Sequence, residues 1–248
     1  MEPRTTVLMP AFEAEGTIRA SVESVLAQTV PELEVVVVDD GSRVPLTDLL
    51  DADPRLRIVK HDRNRGTSAA RNTALAAARA PLVSQLDADD LWEPDYLESI
   101  LPCFDDPAVG LAYANAATIG SDTYPTLIRD TSRHPIDRFP ELAAENPIPA
   151  LTATMRTDAV RAAGGYARWI WGVEDYHLYL KLARAGWRFA FVDRVLARYR
   201  WPGPDGGRSH DKARMHRNLL KLWVAFAVRH PLTPGSGRQI RAWLRALG

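Results

Sequence analysis

The sequence predicts an α/β fold: a mainly parallel sheet flanked by helices on both faces, with a C-terminal helical extension. Three observations carry this. Short β-type runs alternate with helix-periodic segments through the first half of the chain. Val35–Val38 is an unbroken valine run, which suits a strand covered on both faces. The runs at Val35 and Pro81 each end in a cluster of carboxylates, and ligands of open α/β sheets bind beyond the carboxyl ends of strands.

The elements follow in order. Thr5–Met9 reads as a strand, and Gly16–Gln28 as a helix with Ile18, Val22, Val25 and Leu26 on one face. Val35–Val38 and Leu56–Lys60 are strands. Thr67–Arg79, rich in alanine, is a helix. Pro81–Leu86 is a strand, Pro94–Phe104 a helix with Pro94 in its first turn, and Gly110–Ala114 a strand. Residues 116–149 hold several prolines and read as an excursion around a short element. Leu151–Arg156 alternates as a strand does, and Asp158–Ala163 is a short helix closed by Gly164 and Gly165. Glu174–Ala185 is a helix with Tyr176, Leu178, Tyr179 and Leu182 near helical spacing, followed by Gly186. Arg188–Val192 and Val195–Tyr199 are strands, Pro202–Gly207 is a loop, and Lys212–Arg229 and Gln239–Leu247 are helices. Residues 1–207 therefore form one domain, divided near residue 115 into two halves, and 208–248 a helical tail.

Composition narrows the function classes. In 248 residues, 46% are hydrophobic and 25% charged, a globular balance that excludes a disordered chain. Lys+Arg and Asp+Glu both number 31, which weighs against nucleic acid as a partner. Cys103 is the single cysteine, so no internal disulfide forms. Neither a signal peptide nor an apolar run of ~18 residues is visible, and a cytoplasmic location is expected.

Three constellations carry chemistry. Val35–Val38 runs into Asp39-Asp40-Gly41-Ser42, where carboxylates can accept hydrogen bonds from a ligand or can cap a turn. Ser84-Gln-Leu-Asp87-Ala-Asp89-Asp90 places three carboxylates within four positions. Their repulsion would be relieved by a divalent cation, and an all-oxygen ligand set suits Mg²⁺ or Mn²⁺; an exposed acidic turn is the alternative. Trp171-Gly-Val-Glu174-Asp175-Tyr176 opens a helix. The helix N-terminus lowers a carboxylate pKa there, while a neighbouring carboxylate and burial raise it.

Together VVVVDDGS, NRGTSAARNTAL, LDADD and GGY…GVEDYHLYLKLARAGWRF, with the opening VLMPAFEAEGTIRASVESVLAQT, resemble family 2 glycosyltransferases of the GT-A fold over about residues 5–200. The resemblance implies a GT-A, Rossmann-like catalytic domain that moves a sugar with inversion. The donor would be a nucleotide-diphosphate sugar, with a UDP-sugar as first choice; the acceptor would be a small molecule, a glycan or a carrier-bound group. It implies Pro10, Phe12 and Glu13 lining the nucleotide pocket, with Phe12 where tyrosine is common. Asp40 would contact the base, Asp39 the ribose or its own loop, and Arg71 the nucleotide. Asp89 would be the principal ligand of Mn²⁺ or Mg²⁺, with Asp87 toward ribose and metal. Asp175 would be the catalytic base, with Glu174 beside it. The loop after the last strand offers His210 as a further metal ligand and Arg208 as a phosphate partner. Trp169 and Trp171 are acceptor candidates or core residues.

Two rivals are weighed against this. A nucleotidyltransferase would want a glycine-rich basic loop after the first strand, where Pro10–Gly16 has two glutamates and one glycine. A non-catalytic nucleotide-sugar binding protein would need none of Asp87, Asp89 and Asp175, and all three are present. The segment 208–248 has nine Arg/Lys against Asp211. Leu219, Leu222, Trp223 and Phe226 share a helical face that packs on the domain or a second copy of the chain, or contacts an anionic membrane; Trp and Phe at helical spacing favour packing.

Overall fold

A computed structural model describes residues 2–120, 134–136, 142, 146–201 and 212–229. The strands are β1 (Thr5–Ala11), β2 (Leu33–Asp39), β3 (Leu56–Lys60), β4 (Leu82–Gln85), β5 (Leu91–Trp92), β6 (Val109–Ile119), β7 (Thr154–Arg156) and β8 (Arg188–Arg200). The helices are α1 (Ile18–Leu26), α2 (Thr67–Ala77), α3 (Tyr96–Ile100), α4 (Thr157–Ala162), α5 (Glu174–Arg184) and α6 (Lys212–Arg229). One eight-stranded sheet has the order β3-β2-β1-β4-β7-β6-β8-β5. β3, β2, β1 and β4 are mutually parallel; β7 runs antiparallel between β4 and β6; β6 and β8 are parallel again.

The valine run shows why helices cover both faces. Side chains alternate across a strand, so Val36 and Val38 enter one core with α2, α5 and α6, while Val35 and Val37 enter the other with α1 and α3. All four are fully buried, and each contributes roughly 1.5–3 kcal/mol by leaving water. A chain of hydroxyls crosses the middle of the sheet. Thr5 Oγ1 meets Ser84 Oγ at 2.8 Å, Ser84 Oγ meets Thr154 Oγ1 at 2.7 Å, and Tyr96 OH meets Thr154 Oγ1 at 2.8 Å. These groups satisfy one another where β7 reverses the direction of the sheet, so the seam is closed without unpaired buried hydroxyls.

The structure departs from the sequence reading at several places, among them the unexpected short strand β5. Pro94 precedes α3: its carbonyl accepts from Thr29 N–H, outside any helix, and Pro102 then tightens the continuation at Leu101–Asp105 into a 3-10 turn because it lacks an N–H. Leu151–Arg156 divides into a 3-10 turn at Ala150–Thr152 and the strand β7. The strand expected at Gly110–Ala114 continues to Ile119, held by pairing with β8 along its whole length. Arg188–Val192 and Val195–Tyr199 are one strand, because Asp193 and Arg194 are taken up as an irregularity between Ala114↔Val192 and Asn115↔Val195.

The apolar face of α6 lies on the domain. Leu219, Leu222 and Trp223 are buried, and the Trp223 ring meets Tyr176 edge-on at 6.2 Å. Among the described residues no helix is long and apolar enough to cross a membrane. The second tail helix, Gln239–Leu247, falls outside the described residues.

Candidate active site

A cleft of about 510 Å³ opens beyond the carboxyl ends of β1, β2 and β4. Its wall includes Pro10, Phe12, Glu13, Asp40, Asp87 and Asp89, drawn from three separate stretches of sequence. Pro10 is the penultimate residue of β1. Phe12 is 49% exposed and offers a bare aromatic face. Glu13 has a positive φ of 50°. Its carboxylate accepts from Arg43 N–H and from the Arg43 guanidinium, which lowers its pKa below the usual carboxylate range.

The two carboxylates at the end of β2 divide their work. Asp39 is absent from the cleft wall, buried, and accepts from Ser42 N–H at 2.9 Å, closing the turn. Asp40 lies in the wall and organises the loop after β3: it accepts from Arg65 N–H at 3.0 Å and Gly66 N–H at 2.7 Å, while its Oδ1 meets His61 Nδ1 at 2.6 Å. His61 Nε2 in turn meets Thr73 Oγ1 on α2 at 2.9 Å. Gly41 makes this closeness possible. A Cβ there would stand 2.6 Å from the backbone of Arg63, and its φ of 81° is one that glycine adopts freely.

The acidic turn after β4 points into the same cleft. Asp87 and Asp89 both line it. Asp90 is buried behind them, accepts from Arg200 N–H at 2.9 Å, and is pushed up to about 8 by burial and by its neighbours Asp87 and Asp89. The turn therefore concentrates negative potential. Two carboxylates aimed at one cleft fit Mg²⁺ or Mn²⁺, which are commonly held by one or two carboxylates together with substrate phosphates. Among the described residues no group of three His, Cys, Asp or Glu forms an all-protein cage. His210 and Arg208 fall outside the described residues.

Arg71 joins the two halves of the site. It projects from α2, is 4% exposed, and donates from Nη2 to Asp87 Oδ1 at 2.7 Å and from Nη1 to Glu174 Oε1 at 3.3 Å. It is absent from the cleft wall. Burial opposes its charge, but Asp87 and Glu174 outweigh burial and raise its pKa, so it stays a cation. Its guanidinium also lies 5.6 Å from the Tyr166 ring centroid. Glu174 and Asp175 form the first turn of α5. Asp175 accepts from Tyr176 N–H at 2.7 Å, and is raised to about 6 by burial first and by Glu174 second, against the pull of Arg71.

A second cavity of about 380 Å³ adjoins the cleft, with Gly66, Thr67 and Trp171 lining both. Trp169 is 44% exposed in its wall and stacks edge-on to His177 at 5.5 Å. Trp171 is held by Asn218 Nδ2, which donates to its carbonyl at 2.9 Å, and by Arg214, whose guanidinium sits 4.1 Å from its ring centroid. The sequence reading passed over Thr17, Asn64, Thr67 and Arg200 in the cleft wall. Of these, Arg200 carried a usable signal, since it stands at the carboxyl end of a strand.

Comparison with known proteins identifies the family and the fold. The family model described as glycosyl transferase family 2 matches residues 6–161, more than half of the chain. A pre-mycofactocin glycosyltransferase of Mycobacterium tuberculosis is 28% identical over 96% of this chain, and the chain spans about half (52%) of that protein's length. Among solved structures, S. aureus TarS 1-349 in complex with UDP-GlcNAc superposes with a TM-score of 0.74 at 18% identity, over 98% of this chain and 72% of that one. The mannosyltransferase PcManGT of Pyrobaculum calidifontis, in complex with GDP-Man and Mn²⁺, superposes with a TM-score of 0.68 at 24% identity, over 98% and 69%. The order of strands, the paired carboxylates at the ends of β2 and β4, and the matched family model lead to one conclusion: the chain belongs to glycosyl transferase family 2 and has the GT-A fold.

Proposed function

We propose that the chain transfers a sugar, with inversion, from a nucleotide-diphosphate sugar to an acceptor hydroxyl. The observation that carries the proposal is the Arg71 bridge. It ties Asp87, in the wall of the first cleft, to the α5 N-terminus, where Asp175 has a raised pKa. Donor-binding and proton-accepting groups are thereby fixed relative to one another, the condition for an oriented displacement.

The nucleotide occupies the first cleft against Pro10 and Phe12. Asp40 presents its loop to the base, and Asp39 keeps the turn beneath it closed. Asp89 and Asp87 would hold a divalent cation, which would neutralise charge on the diphosphate. The acceptor hydroxyl approaches from the side of the second cavity, with Trp169 and Trp171 as stacking surfaces. Asp175 accepts the hydroxyl proton, the freed oxygen pair bonds to the anomeric carbon, and the carbon–oxygen bond to the diphosphate breaks with its electrons leaving on the nucleoside diphosphate. General-base catalysis of this kind is worth ~10²–10⁴-fold. Glu174 holds Arg71 and points its second oxygen, which has no hydrogen-bond partner, into a buried space.

UDP-sugars are the first donors to try, since TarS was solved with UDP-GlcNAc; PcManGT, solved with GDP-Man, makes GDP-sugars the second. A ligand that binds only the folded state raises its apparent stability. A thermal-shift series of UDP- and GDP-sugars with and without Mn²⁺ is expected to show a metal-dependent rise for one base, lost in Asp89→Ala. Absence of a rise with every nucleotide would overturn the reading.

A further inference from the structure

The second cavity has a charge that donor binding does not use. Arg65, Arg168, Arg214, Arg217 and Lys221 stand in its wall, and Glu174 is the one carboxylate there. Glu174 is already engaged by Arg71. Among the described residues, Arg65, Arg168, Arg217 and Lys221 have no carboxylate partner, although the chain as a whole is neutral. Like charges gathered in a concave wall repel one another and raise a local positive potential. The arrangement is built into the fold. Burial of Leu219, Leu222 and Trp223 fixes the rotation of α6, so 214, 217, 218 and 221, at i, i+3, i+4 and i+7, form one stripe facing the cavity. Asn218, in that stripe, is buried and anchors it to the Trp171 carbonyl. Asp87 and Asp89 line the other cleft and are absent from this one, so the diphosphate of a donor held by them does not account for the cations.

We infer that the second cavity is an acceptor subsite for a phosphate group, and that the acceptor carries a phosphate ester beside the hydroxyl that receives the sugar. The inference rests on the proposed glycosyl transfer and names the substrate class of that site. Guanidinium groups bind phosphate oxygens through paired, charge-assisted hydrogen bonds. The exposed Trp169 face supplies an apolar surface next to them for the body of the acceptor.

Calorimetric titrations of the full chain test this, with glycerol 3-phosphate and glycerol as matched soluble probes. Phosphatidylcholine vesicles with and without phosphatidic acid form a second arm. Glycerol 3-phosphate is expected to bind where glycerol does not. Binding only to vesicles containing phosphatidic acid assigns the phosphate to a lipid-linked acceptor, and supports the same chemistry. Arg217 and Lys221 are exposed, so the double variant R217E/K221E should fold. It is expected to weaken phosphate binding roughly ten- to a hundredfold, with Arg217→Lys losing less and the affinity for nucleotide with Mn²⁺ unchanged. Phosphate binding in neither arm, phosphate binding indifferent to the double variant, or an equal loss of nucleotide affinity would each overturn the inference. Loss of the donor reading is distinguishable, because it appears as absent nucleotide binding in the unsubstituted chain.

Discussion

Asp175 is the residue where burial and function pull in opposite directions. Its carboxyl is raised from 3.8 to about 6 by burial and by Glu174. As the proposed base it would work ionised, so the rate is expected to fall as pH drops through about 6. The folded state binds this proton more tightly than the unfolded one, so the group's own contribution makes the fold more stable as pH falls from 6 toward 4. Asp175→Asn should therefore lose transfer by ~10²–10⁴-fold without lowering the melting temperature near neutral pH, and it should keep nucleotide binding. A melting point well below that of the parent would refute this account of the carboxyl. The residue scale also shows the limit of sequence reading. Adjacent carboxylates such as Asp39 and Asp40 are equivalent in a string of letters. Only the alternation of a real strand end sends Asp40 to the cleft and Asp39 to its turn. Arg71 was expected against the nucleotide, whereas it is buried and absent from the cleft wall; its role as a bridge was not legible, because its partners lie 16 and 103 positions away.

At the scale of elements, what could be read was local. Leu56–Lys60 coincides with β3, and the valine run lies within β2, because a fully covered strand writes its burial into consecutive residues. β5 has only Leu91 and Trp92 and exists through pairing with Arg198 and Ala197, about a hundred residues later, which no local pattern contains. The turn after β2 depends on Gly41, where the Arg63 backbone comes too near for any side chain. Gly41→Ala is expected to push the loop carrying Arg65 and Gly66 away from Asp40. It should weaken nucleotide binding at least tenfold and cost about 1–3 kcal/mol of stability, as measured by titration and urea unfolding. Unchanged affinity would show that the two loops do not depend on each other.

In the whole molecule, one sheet runs through both halves of the chain, and its strand order places the first cleft at the ends of β1, β2 and β4 with the second cavity beside it. Arg71 is the polar counterpart of that continuity. Arg71→Ala would leave Asp87 and Glu174 facing each other with no cation between them. Removing one partner from a buried pair typically costs about 3–5 kcal/mol, and equilibrium unfolding should show a loss of that order, together with a weaker response to Mn²⁺. A variant as stable as the parent would mean that the carboxylates are solvated independently. The bridge has a practical consequence for recombining family members. A chimaera that takes the segment carrying α5 from another family member must also bring, or find waiting, an acidic partner for the arginine of α2; without it, the graft would damage the first cleft that it was meant to leave untouched.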